Sequence, residues 1–265
     1  MHLSARNTVQ PPMKTSAFLA AAAAALLLAL PAYAQDKEAD RAVIERMKAE
    51  IKKKVPEASV DSIRRIPFGG LYEVTMSGEV FYTDENATYL VLGQIVNLAT
   101  KENITETRMK QINRVNFVDL PLDSAIKIVR GNGSRKVAIF EDPNCGYCKK
   151  FERDLAGVSD ITVYIFLYPI LAESSVAKSK AIWCAPDRGK AWMDVMVRDA
   201  PVPAQGTCTT PIDKNLAFGQ SKRIHGTPTI IFEDGDRVPG VMAMADFEKK
   251  LVAAKNPPAP RASNP

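Results

Sequence analysis

The sequence predicts two domains of different class: a small α+β domain, then a linker helix, then an α/β domain that carries a helical insertion. Three patterns lead to this reading. Short alternating strand patterns crowd residues 72–92, two continuous apolar runs at 137–140 and 161–167 flank a helix pattern, and a sparsely apolar helical stretch lies between these regions. Composition is compatible with both domains, because 46% of the 265 residues are hydrophobic and 25% charged, which excludes a disordered or collagen-like chain. Four cysteines are too few for a disulfide-framework miniprotein, and two histidines leave almost no material for a histidine-based triad or a His-rich metal centre. The 35 Lys+Arg exceed the 30 Asp+Glu without forming a basic block, so no nucleic-acid surface is expected.

In chain order, residues 1–34 read as an export signal. Lys14 supplies the positive start, Ala17 to Leu30 the apolar run, and Ala32-Tyr33-Ala34 the small-residue cleavage site, with cleavage expected after Ala34. The 14-residue apolar run is short for a membrane span, which disfavours the competing reading of an uncleaved anchor or a buried helix, and either Met1 or Met13 suits as the start. Cleavage removes Arg6, Lys14 and His2 and no acid, leaving 231 residues with 33 positive and 30 negative groups. Export would put the cysteines where disulfides form and persist.

Residues 35–104 form the first domain. Val43, Met47 and Ile51, with Ile44 beside them, give one amphipathic helix ended by Pro56. Tyr72, Val74 and Met76 alternate with polar residues, Ser77-Gly78 marks a turn, and Val80 and Tyr82 alternate again before the turn at Asp84-Glu85-Asn86. The run Tyr89-Leu90-Val91-Leu92 is apolar on both faces, which a small open meander cannot bury alone. A partner, most simply a second copy of the chain, covers it, unless the domain is a self-sufficient satellite. Residues 105–120 are read as the linker helix, its few apolar positions being Met109, Ile112 and Val115.

The α/β domain spans 121–256. A buried strand at Val137-Ala138-Ile139-Phe140 precedes a helix over 145–155 with Cys148, Phe151 and Leu155 on one face. A second buried strand runs from Ile161 to Leu167, and a polar helical insertion occupies about 172–222, with few large apolar residues to hold it. A strand at Thr229–Glu233, a turn at Asp234-Gly235, a short strand and a final helix around Asp246 to Ala253 complete it. The tail over 257–265 is proline-rich and expected to be disordered.

The chemistry is expected at Cys145-Gly146-Tyr147-Cys148, between a buried strand and the first turn of a helix. There the first sulfur faces free backbone N–H groups and the positive end of the helix, surroundings that bring a cysteine pKa from about 8.5 to roughly 3.5–7.5. The dipole supplies only about 0.3–2 kcal/mol, so a large shift must come from direct hydrogen bonds to sulfur. Cys145 is the predicted nucleophile and Cys148 the buried resolving thiol. A zinc half-site and a purely structural disulfide compete weakly, since Cys184 and Cys208 form no second C-x-x-C and a four-residue loop stabilises little. Lys149 after Cys148 excludes a haem-attachment signature. Cys184 and Cys208 enclose a loop for which the chain-entropy relation gives roughly 3.5 kcal/mol, which favours a structural disulfide over free thiols or a second redox pair.

The Cys145–Cys148 motif, Thr227-Pro228 about 80 residues on, and an N-terminal strand domain behind a signal peptide together resemble the bacterial thiol:disulfide isomerases of the DsbC/DsbG family. Cys-Gly-Tyr-Cys favours the DsbC branch, since a proline usually follows the first cysteine in DsbG. The resemblance implies a thioredoxin-like catalytic domain, an N-terminal dimerisation domain and two catalytic domains facing an apolar cleft in a homodimer. It makes Pro228 a cis-proline beside the cysteines, with Thr227 touching them and Gly146 and Tyr147 supporting the site. It also matches Ala181-Ile182-Trp183-Cys184 and Cys208 to the family's structural disulfide. Implied partners are misfolded disulfide-containing exported proteins and a DsbD-like membrane reductase, with no cofactor and no metal. The competing activities are a DsbG-like reductase of single oxidised cysteines, a dithiol oxidase and a chaperone without redox chemistry. Ile139 occupies the place of the buried acid found six residues before the first cysteine in many thioredoxin-like proteins, Glu141 and Asp142 lie closer to the motif, and His225 reads as a solvated loop residue.

Overall fold

The computed structural model describes residues 40–204 and 206–255. The expected signal peptide over 1–34 and the expected disordered tail over 257–265 lie outside the described residues. The chain divides into two compact units between Gly93 and Gln94.

In the first unit, helix α1 (residues 40–54) lays Met47 and Ile51, one turn apart, among Ile63, Tyr72, Val74 and Met76 of an antiparallel sheet. Its strands run in chain order: β1 (Val60–Arg65), β2 (Tyr72–Met76), β3 (Glu79–Thr83) and β4 (Leu90–Val91). Ser77 and Gly78 both take positive φ, 53° and 81°, which is the primed two-residue turn whose twist matches a β2–β3 hairpin. All five residues of β2 are buried, Glu73 included, and Arg64 on β1 answers that carboxylate with Nε at 2.7 Å from Oε1. At the far edge Tyr89, Leu90, Val91 and Leu92 stand exposed, at 73%, 50%, 47% and 70%.

Residues 95–104 form a small hairpin at the start of the second unit. Val96 bridges Asn103, and Ile104 N–H donates to Ile95 carbonyl at 2.9 Å. Asn103 then caps α2 (Ile104–Ile112), which is shorter than the helix expected over 105–120. The chain leaves α2 to bury Val115 and Phe117 against the sheet, and this packing outweighs local helix propensity.

The sheet of this unit has the order β5-β7-β6-β8-β9, from β5 (Ile126–Arg130), β6 (Arg135–Glu141), β7 (Ile161–Leu167), β8 (Thr229–Phe232) and β9 (Arg237–Pro239). Only β6 and β7 pair in parallel, linked by α3 (Gly146–Leu155). Alternate residues of the central strands feed two cores. Val137, Ile139, Val163 and Ile230 face α3, α5 (Arg188–Met196) and α7 (Met244–Lys255), whereas Ala138, Phe140, Phe166 and Ile231 face α6 (Ile212–Ser221) and the segment from Val115 to Leu120. Coverage on both sides is why β6 and β7 read as unbroken apolar runs.

The insertion contains α4 (Glu173–Trp183), α5 and α6, and it is better anchored than its polar composition implies. Ile182, Trp183, Trp192, Val195 and Met196 are buried in the main core, so a few large side chains at helical spacing do the holding. A Cys184–Cys208 disulfide with Cα atoms 5.7 Å apart closes the loop after α4. Tyr168, next after β7, donates its N–H to Glu141 carbonyl at 2.7 Å and its hydroxyl to Ile224 carbonyl at 2.9 Å, fixing the end of β6.

Gly219 of α6 lets that ring in, for a Cβ there would meet Tyr168 at 2.4 Å. Alanine for glycine inside a helix ordinarily stabilises by about 1 kcal/mol. Here Gly219→Ala is expected to lower the urea midpoint, with an overpacking cost of about 1–3 kcal/mol; a raised midpoint would refute the close packing.

Candidate active site

Strand β6 delivers Glu141 to the edge of the core, and the next four residues turn the chain into α3. Asp142 organises this turn while wholly buried. Its Oδ1 accepts Asn144 N–H at 2.8 Å, its Oδ2 accepts Leu171 N–H at 2.9 Å, and its carbonyl accepts Cys145 N–H at 2.9 Å. The Asn144 side chain donates to Ser174 and Ser175 at 2.9 and 2.8 Å and accepts from Lys178 at 2.6 Å, which ties the turn to α4.

Cys145 is the N-cap of α3. Its backbone is extended, with φ −76° and ψ 112°, and its Sγ accepts the Cys148 N–H at 3.2 Å, so a sulfur does what serine or aspartate oxygens usually do at this position. Gly146 and Tyr147 are exposed, Tyr147 at 69%, while Cys145 is 4% and Cys148 0% exposed. Both cysteines are free thiols.

A second loop meets the sulfur from β8. The Thr227–Pro228 bond is cis, Gly240 N–H holds Pro228 carbonyl at 2.7 Å, and Thr229 Oγ1 donates to Gly226 carbonyl at 2.7 Å. The Cys145 thiol donates to Thr227 carbonyl at 3.4 Å. On ionisation that donation ends, while the Thr227 hydroxyl, buried without a hydrogen-bond partner, favours the thiolate. His225 in the same loop is exposed.

The two thiols are pushed apart electrostatically. The Cys145 pKa falls to about 6, first because the Cys148 thiol donates to its sulfur, with further help from Thr227 and the N–H groups of Cys148 and Tyr147, against the opposing effect of burial. Burial drives Cys148 strongly upward, and the neighbouring Cys145 and Glu141 add to it. At pH 7 Cys145 is therefore about nine-tenths thiolate, the form that attacks disulfides.

Glu141 and Glu152 lie wholly buried beneath the sulfurs. Glu152 Oε1 accepts Trp192 Nε1–H at 2.9 Å. Sequence reasoning missed Glu152 and Trp192, although Glu152 follows Cys148 by four residues and so falls on the same helix face. An acid on an apolar stripe was the available signal. Among the described residues no group of three or more His, Cys, Asp and Glu is placed to hold a metal ion, and no helix is long and apolar enough to cross a membrane.

Residues 21–106 match the family of disulfide bond isomerase N-terminal domains, and residues 122–255 match the thioredoxin-like domain family. The probable thiol:disulfide interchange protein DsbC of Bordetella pertussis is 44% identical over 192 residues, 72% of this chain and 68% of that protein. The chain belongs to the DsbC family of thiol:disulfide interchange proteins. The DsbC of Escherichia coli is 26% identical over 230 residues, covering 85% of this chain and 93% of its own. A disulfide interchange protein from Neisseria gonorrhoeae, solved by crystallography, is 38% identical over 51% of this chain and 99% of its own, with a TM-score of 0.49. Membership in the DsbC family makes this chain a thiol-disulfide oxidoreductase and isomerase with a thioredoxin-like domain.

The lowered Cys145 pKa has a testable sign. Because the folded value lies below the unfolded one of about 8.5, ionisation stabilises the reduced protein fully above pH 8.5, and that contribution is lost as pH falls through about 6. Alkylation of the reduced chain by iodoacetamide should accordingly rise with a midpoint near pH 6, with Cys148 unlabelled. A midpoint near 8.5 would show that the cap does not activate the sulfur.

Proposed function

We propose that this DsbC-family protein is a homodimeric periplasmic isomerase in which Cys145 attacks wrong disulfides of exported proteins. The observation that carries this reading is the pairing of an activated capping sulfur with a buried, strongly deactivated one. The Cys145 thiolate attacks one sulfur of the client disulfide, forming a mixed disulfide and releasing a client thiolate. Another client thiol then displaces Cys145 to leave a corrected pairing. Where that stalls, Cys148 attacks Cys145, frees the client and leaves the enzyme oxidised. Oxidised enzyme needs two electrons to return, for which we assign a DsbD-like membrane reductase.

Thr227 and Pro228 are assigned the positioning of client backbone beside Cys145, with Gly146 leaving the sulfur's approach open. The Cys184–Cys208 disulfide is assigned a structural role, and residues 105–120 that of the linker between the dimerisation and catalytic domains. Exposed Tyr147, Ile170, Leu171 and Val241 give the surroundings of the site an apolar character that suits binding of unfolded chain, and chaperone activity follows from it.

Cys145→Ser is expected to abolish refolding of scrambled multi-disulfide ribonuclease, whereas Cys148→Ser should keep part of the activity and accumulate mixed disulfides. Retained isomerisation by the Cys145 variant would overturn the assignment. In sedimentation at micromolar concentration the mature chain should be a dimer, and a Leu90→Glu, Val91→Glu double variant a monomer, since both side chains stand on the exposed edge of β4. A wild-type monomer would remove the dimer from this reading.

A further inference from the structure

Thiol exchange as described leaves two buried acids without a task. Glu141 ends β6, and Glu152 lies one turn beyond Cys148 on α3; both are 0% exposed and within hydrogen-bond reach of each other. Glu152 Oε1 takes the indole N–H of Trp192, but its Oε2 and both oxygens of Glu141 have no hydrogen-bond partner. A carboxylate can only accept, so two facing carboxylates would leave three acceptors unmet and hold two like charges in a dry site. One proton removes both faults. If Glu141 carries it, its hydroxyl donates to Glu152 Oε2, Glu152 gains a second donor beside Trp192, and a single buried charge remains.

We propose that Glu141 is a protonated acid hydrogen-bonded to the Glu152 carboxylate, and that the two relay the proton of Cys148 when that thiol resolves a mixed disulfide. The inference rests on Cys148 being the resolving thiol. In the step, the S–H proton of Cys148 passes to the free oxygen of Glu141 while the Glu141 hydroxyl proton passes to Glu152. The Cys148 electron pair forms the bond to Cys145 Sγ, the bond from Cys145 to the client sulfur breaks, and the client leaves as a thiolate. Glu141 is neutral before and after. The negative charge moves from Glu152 through the sulfurs to the departing client, so no additional charge is created in the core.

Burial, followed by the charge and hydrogen bond of Glu152, holds Glu141 well above the usual carboxylate range, in keeping with the proton assigned to it. The ionisable groups facing Glu141 are Glu152, Cys148 and Cys145, all on α3 or its cap. The core on this side of the sheet draws Ile165 and Leu167 from β7, Trp192 from α5 and Phe247 and Leu251 from α7, and Leu167 pairs with Glu141; none of these titrates near neutrality.

Glu141→Gln separates a relay from a merely structural pair. Its amide can still donate to Glu152 and accept from Cys148, so the fold and the Cys145 alkylation midpoint near pH 6 should survive, but an amide cannot pass the proton on. With nitrothiobenzoate preloaded on Cys145, its release by Cys148 in stopped flow should slow about a hundredfold, the low end for positioned proton transfer, and should acquire a steep rise with pH. Release at the wild-type rate with the wild-type pH profile would overturn the relay. Infrared spectroscopy of the reduced full chain at pH 7 should show one buried carboxylic-acid carbonyl band that is lost in the Gln variant; its absence from wild type would overturn the proton assignment. If Cys148→Ser releases nitrothiobenzoate as fast as wild type, the resolving role of Cys148 fails instead, and the infrared result still stands by itself.

Discussion

One hydrogen bond sets the terms for the site: the Cys148 N–H to the Cys145 sulfur at the start of α3. It makes the reactive atom a structural atom. A helix must satisfy its first N–H groups, and here the acceptor is a sulfur placed there by the end of a strand buried on both faces. The Asp142 turn holds the chain on the path that brings Cys145 to this position. The Cys148 thiol does most to favour the thiolate, and the N–H groups that the helix needs capped add to it, so folding and activation share this turn. A thiol with a low pKa is also a good leaving group, and this matters as much for an isomerase as attack does. When another client thiol strikes the client sulfur of the mixed disulfide, Cys145 departs readily.

Which thiol strikes next is decided by the second sulfur. Cys148 lies one turn inside α3, dry and adjacent to Glu141, and is held as a thiol. A client thiol in solvent ionises more easily and competes for Cys145. An enzyme whose resolving thiol ionised freely would release most clients before their pairings were corrected. A resolving thiol with no route for its proton would leave stalled adducts in place. The Glu141–Glu152 pair supplies a route of intermediate quality, since the charge it moves is already buried and only changes place. Trp192 brings the insertion into this balance, because its indole N–H steadies the Glu152 carboxylate from α5.

The parts of this arrangement that were legible in the sequence are those that local pattern determines. Strands β6 and β7 were visible because burial on both faces removes polar alternation, and the cap was visible because C-x-x-C fell at the join of strand and helix. Strands β1 and β5 were missed: VDSIRR and IKIVR mix charge with apolar residues, and each lies at a sheet edge, where one face or one side meets water. The end of α2 was misplaced because Val115 and Phe117 leave the helix to reach a core formed by residues far along the chain. Glu152 escaped notice for a related reason. The pattern shows an acid on an apolar face, but only the fold brings Glu141 opposite it and Trp192 beside it. Long-range pairing of polar groups leaves no period to read.

The first unit presents the reverse problem, an apolar surface with no polar reason to be where it is. Asp84 accepts the N–H groups of Thr88 and Tyr89 at 2.8 and 2.9 Å, and Thr83 donates to Tyr89 carbonyl at 2.6 Å, so the run Tyr89–Leu92 is held in place by its backbone. Chain entropy is therefore lost during folding rather than on association. Burying an exposed aliphatic or aromatic side chain is worth about 1.5–3 kcal/mol, and a two-fold interface counts each contribution twice. Four such side chains per protomer, even half-exposed as Leu90 and Val91 are, reach the scale of the roughly 4–15 kcal/mol that association costs. A loose apolar loop of the same composition would have to meet the ordering cost as well. The Asp84 turn thus does for the proposed dimer interface what the Asp142 turn does for the sulfur: a carboxylate collects backbone N–H groups and fixes a short segment.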